Sequence, residues 1–256
     1  LALAWAAWLP HPAWSDAPPP APAMLLAEVY AADVDLAQYW VSEKFDGVRA
    51  QWDGRTLRFR GGGTVPAPAW FTTGFPAQPL DGELWIARDR FDALSGTVRK
   101  TEAVDAEWRQ VRYLVFELPD AAGDFSNRIE QIRQLVAQAK LPWLQAVEQT
   151  RVDDHAALMQ RLDAVMRAGG EGLMLHRADA PYLTGRSDAL LKLKPWQDAE
   201  AIVVSHTPGK GKYRGMTGAL QMEMPDGKRF RLGSGLSDTL RRQPPPIGTR
   251  ITYRYQ

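Results

Sequence analysis

The pair Asp53-Gly54 lies between two short alternating runs, Val48 to Trp52 and Thr56 to Arg60. Asp-Gly flanked by such runs is a strong hairpin signal, because these residues tolerate the positive φ that a tight turn between twisted strands requires. The two runs are therefore read as an antiparallel pair. Immediately upstream stands Glu43-Lys44-Phe45-Asp46-Gly47-Val48-Arg49, so the hairpin places Lys44 and Arg49 on or beside sheet edges. A lysine can act as a nucleophile only with a neutral amine, and its ordinary pKa of about 10.4 must then be depressed. Positive charge nearby, from Arg49 or a bound metal ion, would do this, and Gly47 would let a nucleotide come close to the backbone. The same seven residues also read as an exposed charged turn. Taken alone, both readings stand.

The chain has 256 residues, 45% of them hydrophobic, enough for one large core or two modest ones. It has no cysteine, which removes disulfides, thiolate catalysis and Cys-ligated zinc together. The formal charge is only +1, but it is unevenly spread: Trp196 to Gln256 holds ten Lys/Arg against five Asp/Glu. A basic C-terminal unit suits a polyanion, and it also suits a merely solvated face. Pro195 to Ala199 is the predicted boundary, giving an N-terminal tail over 1–23, a main domain over 24–195 and a small domain over 196–256.

In the tail, Leu1 to Leu9 is apolar and runs into the proline-rich stretch Pro10 to Pro22. This is similar to the end of a secretory signal, with small residues at Ser15 and Ala17 where a signal peptidase reads, and it is too short to span a bilayer. Export is the expected fate, with a disordered N-terminal tail as the alternative. In the main domain, strands are predicted at Trp40 to Glu43, Leu80 to Ile86, Val111 to Leu118, Glu171 to His176 and Leu190 to Lys194. A short helix is expected at Asp33 to Tyr39. A longer one should open at Asn127, with Glu130 completing a capping box, and another at Asp153 or Asp154, closing at Gly169-Gly170. Alternation along Leu190 to Lys194 puts Lys192 and Lys194 on one face, as an anion site needs and as any solvated strand face also allows. Beyond Pro195, strands, a basic glycine-rich loop at Pro208 to Gly218 and a turn at Asp226-Gly227 predict a small antiparallel barrel of OB type. The four histidines lack ligand spacing, and the ten tryptophans read mainly as core, with Trp70 and Phe71 a candidate surface for nucleic acid.

Order is what carries a resemblance. Lys44-Phe45-Asp46-Gly47-Val48-Arg49, then Asp81-Gly82-Glu83, Phe116 in a buried strand, Glu171-Gly172, and Lys192-Leu193-Lys194 ahead of an OB-like unit resembles the covalent nucleotidyltransferases. Within them the chain looks most like the ATP-dependent DNA ligases, in their minimal bacterial, periplasmic form. The resemblance runs from about Met24 to the end and implies an α+β fold, an adenylation domain of antiparallel sheets with flanking helices followed by an OB-fold β-barrel. It implies that Lys44 attacks the α-phosphate of ATP to form lysyl-AMP, and that Glu83 and Glu171 ligate Mg²⁺ or Mn²⁺. Phe116 and Met174 would sandwich adenine. Lys192 and Lys194 would neutralise the α-phosphate, and Arg49, Arg60 and Arg186 would hold ribose and phosphates, with Glu43 reading the base and Asp46 orienting the loop.

The implied partner is nicked duplex DNA, bound through Lys210, Lys212, Tyr213, Arg214, Arg229 and Arg231. The implied state is a monomer without stable membrane association. Two departures from the pattern stand out: Glu117 follows Phe116 where many ligases have Asp, and the family's last basic motif has no match before Gln256, which reads as truncation. The alternatives are an RNA ligase, a capping-type nucleotidyltransferase, or a catalytically impaired OB protein that only binds nucleic acid.

Overall fold

The computed structural model describes residues 21–195 and 197–255, so most of the expected export segment lies outside the described residues. The chain divides into two units between Leu193 and Lys194, two residues before the predicted boundary. The first unit opens with strand β1 (Leu25–Val29), one 3-10 turn at Leu36–Gln38, and strands β2 (Tyr39–Lys44), β3 (Val48–Trp52) and β4 (Leu57–Phe59). Helix α1 (Ala69–Thr72), strand β5 (Leu80–Trp85), helices α2 (Phe91–Val98) and α3 (Asp105–Trp108), and strand β6 (Arg112–Glu117) follow. Helix α4 (Phe125–Ala139), strand β7 (Leu144–Ala146), helix α5 (His155–Arg167) and strands β8 (Gly172–Arg177) and β9 (Gly185–Leu193) complete it.

These strands form two sheets. One has the order β1-β9-β8-β2 and the other β4-β3-β5-β6-β7. The β3/β4 hairpin forms as expected, although its connection is four residues, Asp53 to Thr56, rather than two: Gly54 takes φ 94° and the Asp53 Oδ1 accepts from the backbone N–H groups of Arg55 and Thr56. The aspartate side chain closes the turn that the dipeptide began. In the second sheet, the inward residues Ala50, Trp52, Leu80, Leu84, Tyr113 and Val115 pack on Phe71, Leu94, Trp108 and Ile132. The first sheet packs Val41, Leu173, Leu175 and Leu191 against Leu158 and Leu162 of α5.

Helix α5 begins where expected, with Asp154 accepting from the Ala157 N–H at 2.8 Å. Helix α4 begins earlier than expected. Its cap is Asp124, which accepts from Asn127 N–H at 2.8 Å, and Phe125 is drawn into the core, stacked on His176 with ring centroids 3.5 Å apart. The helix expected at Asp33 to Tyr39 is only the single 3-10 turn.

The second unit comprises strands β10 (Gln197–Pro208), β11 (Thr217–Glu223) and β12 (Arg229–Leu232), helix α6 (Asp238–Arg242) and strand β13 (Arg250–Tyr255). Its strands make one antiparallel sheet in the order β12-β11-β10-β13 around Ala201, Val203, Leu220 and Met222. Arg241 of α6 is buried and donates to the carbonyls of Thr217, Gly218 and Gly233, fastening the helix to the start of β11. No helix among the described residues is long and apolar enough to cross a membrane.

Candidate active site

Strand β2 belongs to one sheet of the first unit and β3 to the other, so Phe45-Asp46-Gly47 is the passage between them. The lysine motif is thus not a surface turn within one sheet. It opens onto a cavity of about 740 Å³ lined by both sheets. Gly47 is required by the close approach it makes: a Cβ there would lie 2.4 Å from the Leu84 carbonyl oxygen and 2.5 Å from Glu83 Cγ, far inside van der Waals contact.

Lys44, at the last position of β2, pairs in register with Gly172, which brings it beside Glu171. Lys44 Nζ donates to Glu171 Oε2 at 2.5 Å, with both side chains about one-quarter exposed. From the other sheet, Arg49 and Glu83 stand opposite each other in the β3/β5 ladder. Arg49 donates from Nε and Nη2 to the two oxygens of Asp81 at 3.0 and 2.6 Å, and from Nη1 to the Leu25 carbonyl at 2.8 Å. Its guanidinium carbon also lies 5.2 Å from the centre of the Phe116 ring. Asp81 is fully buried, so a bidentate pair fixes the arginine at the cavity wall.

Burial pushes the Glu83 carboxyl up to about 8, against the opposing pull of Lys44 and Arg49. Two other acids, Asp81 and Glu171, are close enough to raise it further. Among the described residues no group of three metal-ligating side chains occurs. Glu83 and Glu171 nevertheless fit a hard divalent cation that draws its remaining ligands from phosphate oxygens and water, the usual habit of Mg²⁺.

The remaining expected residues are largely brought together. Glu43, Asp46, Arg60, Phe116, Met174, Arg186 and Lys192 all line the cavity with Lys44, Arg49, Glu83 and Glu171. Met174 and Lys192 are ladder partners of β8 and β9. Arg186 is exposed and donates to the Ala27 carbonyl. Lys194 differs from expectation: β9 ends at Leu193 and Lys194 begins the second unit, so the strand alternation meant to align it with Lys192 stops one residue short.

Several supporting residues were not foreseen. Arg88 holds Glu43 by two hydrogen bonds, 2.9 and 2.6 Å long, so the glutamate arrives already engaged. Next to Phe116 in sequence, Glu117 receives from the fully buried Arg128 on both oxygens, at 2.6 and 2.9 Å, and Arg128 also donates to the carbonyls of Gly123 and Ala180. His176 faces that carboxylate, its Nε2 3.5 Å from Glu117 Oε2, and burial, seconded by Arg128, holds its pKa well below the usual histidine value. Glu117 therefore serves as an anchor under the pocket. Gln149 and Arg99 also line the cavity; nothing in their local sequence marks them.

In the second unit, Lys210, Lys212, Arg214, Arg229 and Arg231 are exposed. Arg229 and Arg231 share the solvent face of β12, opposite Glu223 and Gln221, and Arg229 is already paired with Glu223 at 2.5 Å. Tyr213 is half-buried between cations, with Lys212 Nζ 4.7 Å and Arg241 Cζ 4.1 Å from its ring centre. Trp70 donates to Asp105 and packs edge-on against Phe71, which is fully buried, so Phe71 is core rather than a nucleic-acid surface.

Comparison with known proteins agrees with this geometry. A family model described as a DNA ligase OB-like domain matches residues 208–256. A DNA ligase of Haemophilus influenzae is 37% identical over 218 residues, 85% of this chain and 80% of the relative. A solved structure from a structure-function study of Lig E DNA ligases, described as binding DNA with a minimal scaffold, is 42% identical, with a TM-score of 0.76 and coverage of 91% of this chain and 92% of that one. An ATP-dependent DNA ligase from bacteriophage T7, solved in complex with ATP, shares the fold at 18% identity and a TM-score of 0.56, covering 86% of this chain and 83% of its own.

Proposed function

Because the chain belongs to the DNA ligase family, we propose that it seals nicks in duplex DNA by carrying AMP on Lys44, with ATP as the nucleotide substrate. The observation that carries this reading is the placement of Lys44 Nζ in a cavity between two sheets, 2.5 Å from Glu171. In the first step the Nζ lone pair attacks the α-phosphorus of ATP. A P–N bond forms, the bond to the bridging oxygen breaks, and pyrophosphate leaves. The amine must shed a proton, and Glu171 Oε2 already accepts a hydrogen bond from it.

Charge builds on the α-phosphate during this displacement. Arg49, fixed by Asp81, and Lys192 present cations from opposite sheets, a preorganised arrangement that needs no rearrangement as the charge develops. Glu83 and Glu171 would hold Mg²⁺ or Mn²⁺, which when bound neutralises phosphate charge. AMP then passes from Lys44 to the 5′-phosphate of the nick, restoring the amine, and the 3′-hydroxyl displaces AMP to close the strand. The exposed Lys210, Lys212, Arg214 and Arg231 supply phosphate contacts for the duplex.

Incubation with ATP labelled at the α-phosphate tests the first step. The label should remain on the denatured chain, be absent from Lys44→Ala, and be chased from the loaded protein by nicked DNA with strand closure. Label retained by Lys44→Ala, or closure of nicked RNA but not nicked DNA, would overturn the proposal.

A further inference from the structure

Strand β6 does not run regularly past β5. Glu83 pairs with Leu114 and Gly82 with Val115, but Asp81 pairs with Glu117, so Phe116 is one residue too many and has no partner across the ladder. This is a β-bulge, a device that breaks the regular alternation and re-aims a side chain. Its effect shows in what the strand buries. Tyr113, Val115 and Leu118 belong to the core of the second sheet, whereas Phe116 lines the cavity and Glu117 turns to Arg128. Strict alternation would have sent Glu117 to the face of Tyr113 and Val115, into an apolar core.

A residue without a ladder partner is aimed by what holds its neighbours. On one side, Val115 is held by its pairing with Gly82 and by the Val147 N–H, which donates to its carbonyl at 2.8 Å. Gly82 admits the close approach, since a Cβ there would lie 2.5 Å from the Leu114 carbonyl oxygen. On the other side stands Glu117, paired with Asp81, whose two carboxylate oxygens accept from Arg128 at 2.6 and 2.9 Å with both side chains fully buried. Arg128 is tied in turn to the carbonyls of Gly123 and Ala180. A buried ion pair adds little stability over an apolar pair of similar volume, and its best attested use is to fix register. We infer that the Glu117–Arg128 pair is a positioning device of the nucleotide site: it locks the bulge in β6 and thereby aims the Phe116 ring at the base. This rests on the nucleotide reading of the cavity, in which Phe116 stacks on adenine.

The test measures the KM for ATP in labelling of Lys44 on the full chain, with and without Phe116→Ala, in the wild type, in Glu117→Met/Arg128→Met and in Arg128→Lys. In the wild-type background Phe116→Ala should raise KM by roughly 5- to 150-fold, the range that stacking of one base on an aromatic ring supports, with the maximal rate little changed. The methionine pair keeps the site apolar and filled but gives up the fork of hydrogen bonds. Its own KM should already be raised, and Phe116→Ala should raise it further by less than about 3-fold, because a ring no longer aimed has little left to lose. Arg128→Lys keeps the charge but cannot hold both oxygens in a fork, and should show the same loss of dependence on Phe116 in weaker form. Each KM is compared within one background, so it is insensitive to the folded fraction. If the methionine variant does not fold, the wild type against Arg128→Lys decides.

The same fold increase on removing Phe116 in every background overturns the inference, since the pair would then support the fold without aiming the ring. A wild-type KM that Phe116→Ala leaves unmoved overturns it as well. In both cases Lys44 is still labelled and the nucleotide pocket stands. A wild-type chain that takes no label at all removes the pocket reading and the inference together.

Discussion

Glu83→Gln should stabilise the protein at alkaline pH while removing its ability to seal DNA. The wild-type carboxyl, ordinarily near 4.5 in the unfolded chain, is pushed up to about 8 in the fold, chiefly by burial. A folded pKa above the unfolded one means that the folded state holds the proton more tightly. The associated stability is complete below pH 4.5, drains away as pH rises towards 8, and is gone above that. At about 1.4 kcal/mol per pH unit, the full penalty on the ionised folded state is about 5 kcal/mol. Local relaxation and water entry will reduce it, so about 2–4 kcal/mol is expected at about pH 9 and little at about pH 5.

Glutamine keeps the shape beside Gly47 and Arg49 and never ionises. Urea unfolding followed by tryptophan fluorescence suits the measurement, because Trp40, Trp52, Trp70, Trp85, Trp108 and Trp143 all belong to the first unit. Wild-type and variant curves should nearly coincide at pH 5 and separate through pH 7 to pH 9, the variant being the more stable. Parallel pH profiles, or a variant less stable than the wild type at pH 9, would refute the reasoning.

Millimolar Mg²⁺ at pH 9 should raise the urea midpoint of the wild type and leave Glu83→Gln unmoved; an equal rise in both would remove Glu83 from the metal assignment. Glu117→Ala strands the fully buried Arg128 and should cost about 3–5 kcal/mol, whereas replacing both partners by methionine should cost less, because no bare charge remains; calorimetry checks the order of the two. Gly47→Ala forces a Cβ against the Leu84 carbonyl and should cost about 1–3 kcal/mol and also reduce labelling of Lys44, so a variant with wild-type melting and labelling would count against the tight passage. Neutralising Lys210, Lys212, Arg214 and Arg231 should lower the salt slope of nick binding by about 0.9 for each phosphate that the variant no longer neutralises. Arg229, already paired with Glu223, should change it least.

The sequence made the chemistry legible wherever it was packed into a few consecutive residues. Lys44, Gly47 and Arg49 announce themselves together, as do Asp81 and Glu83, because a strand and its turn are read locally. Partnerships across the chain were not legible: Arg49 with Asp81, Arg88 with Glu43, and Arg128 with Glu117 depend on which elements become neighbours. Helices α2 and α3 escaped notice because Arg90 and Val104 precede them and neither offers a side-chain cap. At α4 the motif Asp124-Phe125-Ser126-Asn127 contains three residues of capping type, and the burial of Phe125 against His176 decides among them. Strand β9 starts five residues ahead of the apolar run at Leu190, since Arg186 and Asp188 are exposed there and carry no hydrophobic signal.

The cavity's width shows the same division more sharply. Lys44, Met174 and Lys192 come from one sheet, and Arg49, Glu83 and Phe116 from the other; their spacing decides whether one nucleotide can touch all of them. Two connections set it. One is the passage through Gly47, which the motif displays openly. The other is the strap from Val147 to Thr150, hydrogen-bonded to Val115 on one sheet and Val41 on the other, whose sequence looks like ordinary connecting chain. Its hydrogen bonds to the two sheets are backbone except for the Thr150 hydroxyl, which donates to the Val41 carbonyl, so no side-chain pattern reveals them. A candidate lysine nucleophile can therefore be picked out from a few short motifs in order, whereas the width of the cavity it faces is held by backbone groups that no residue type encodes.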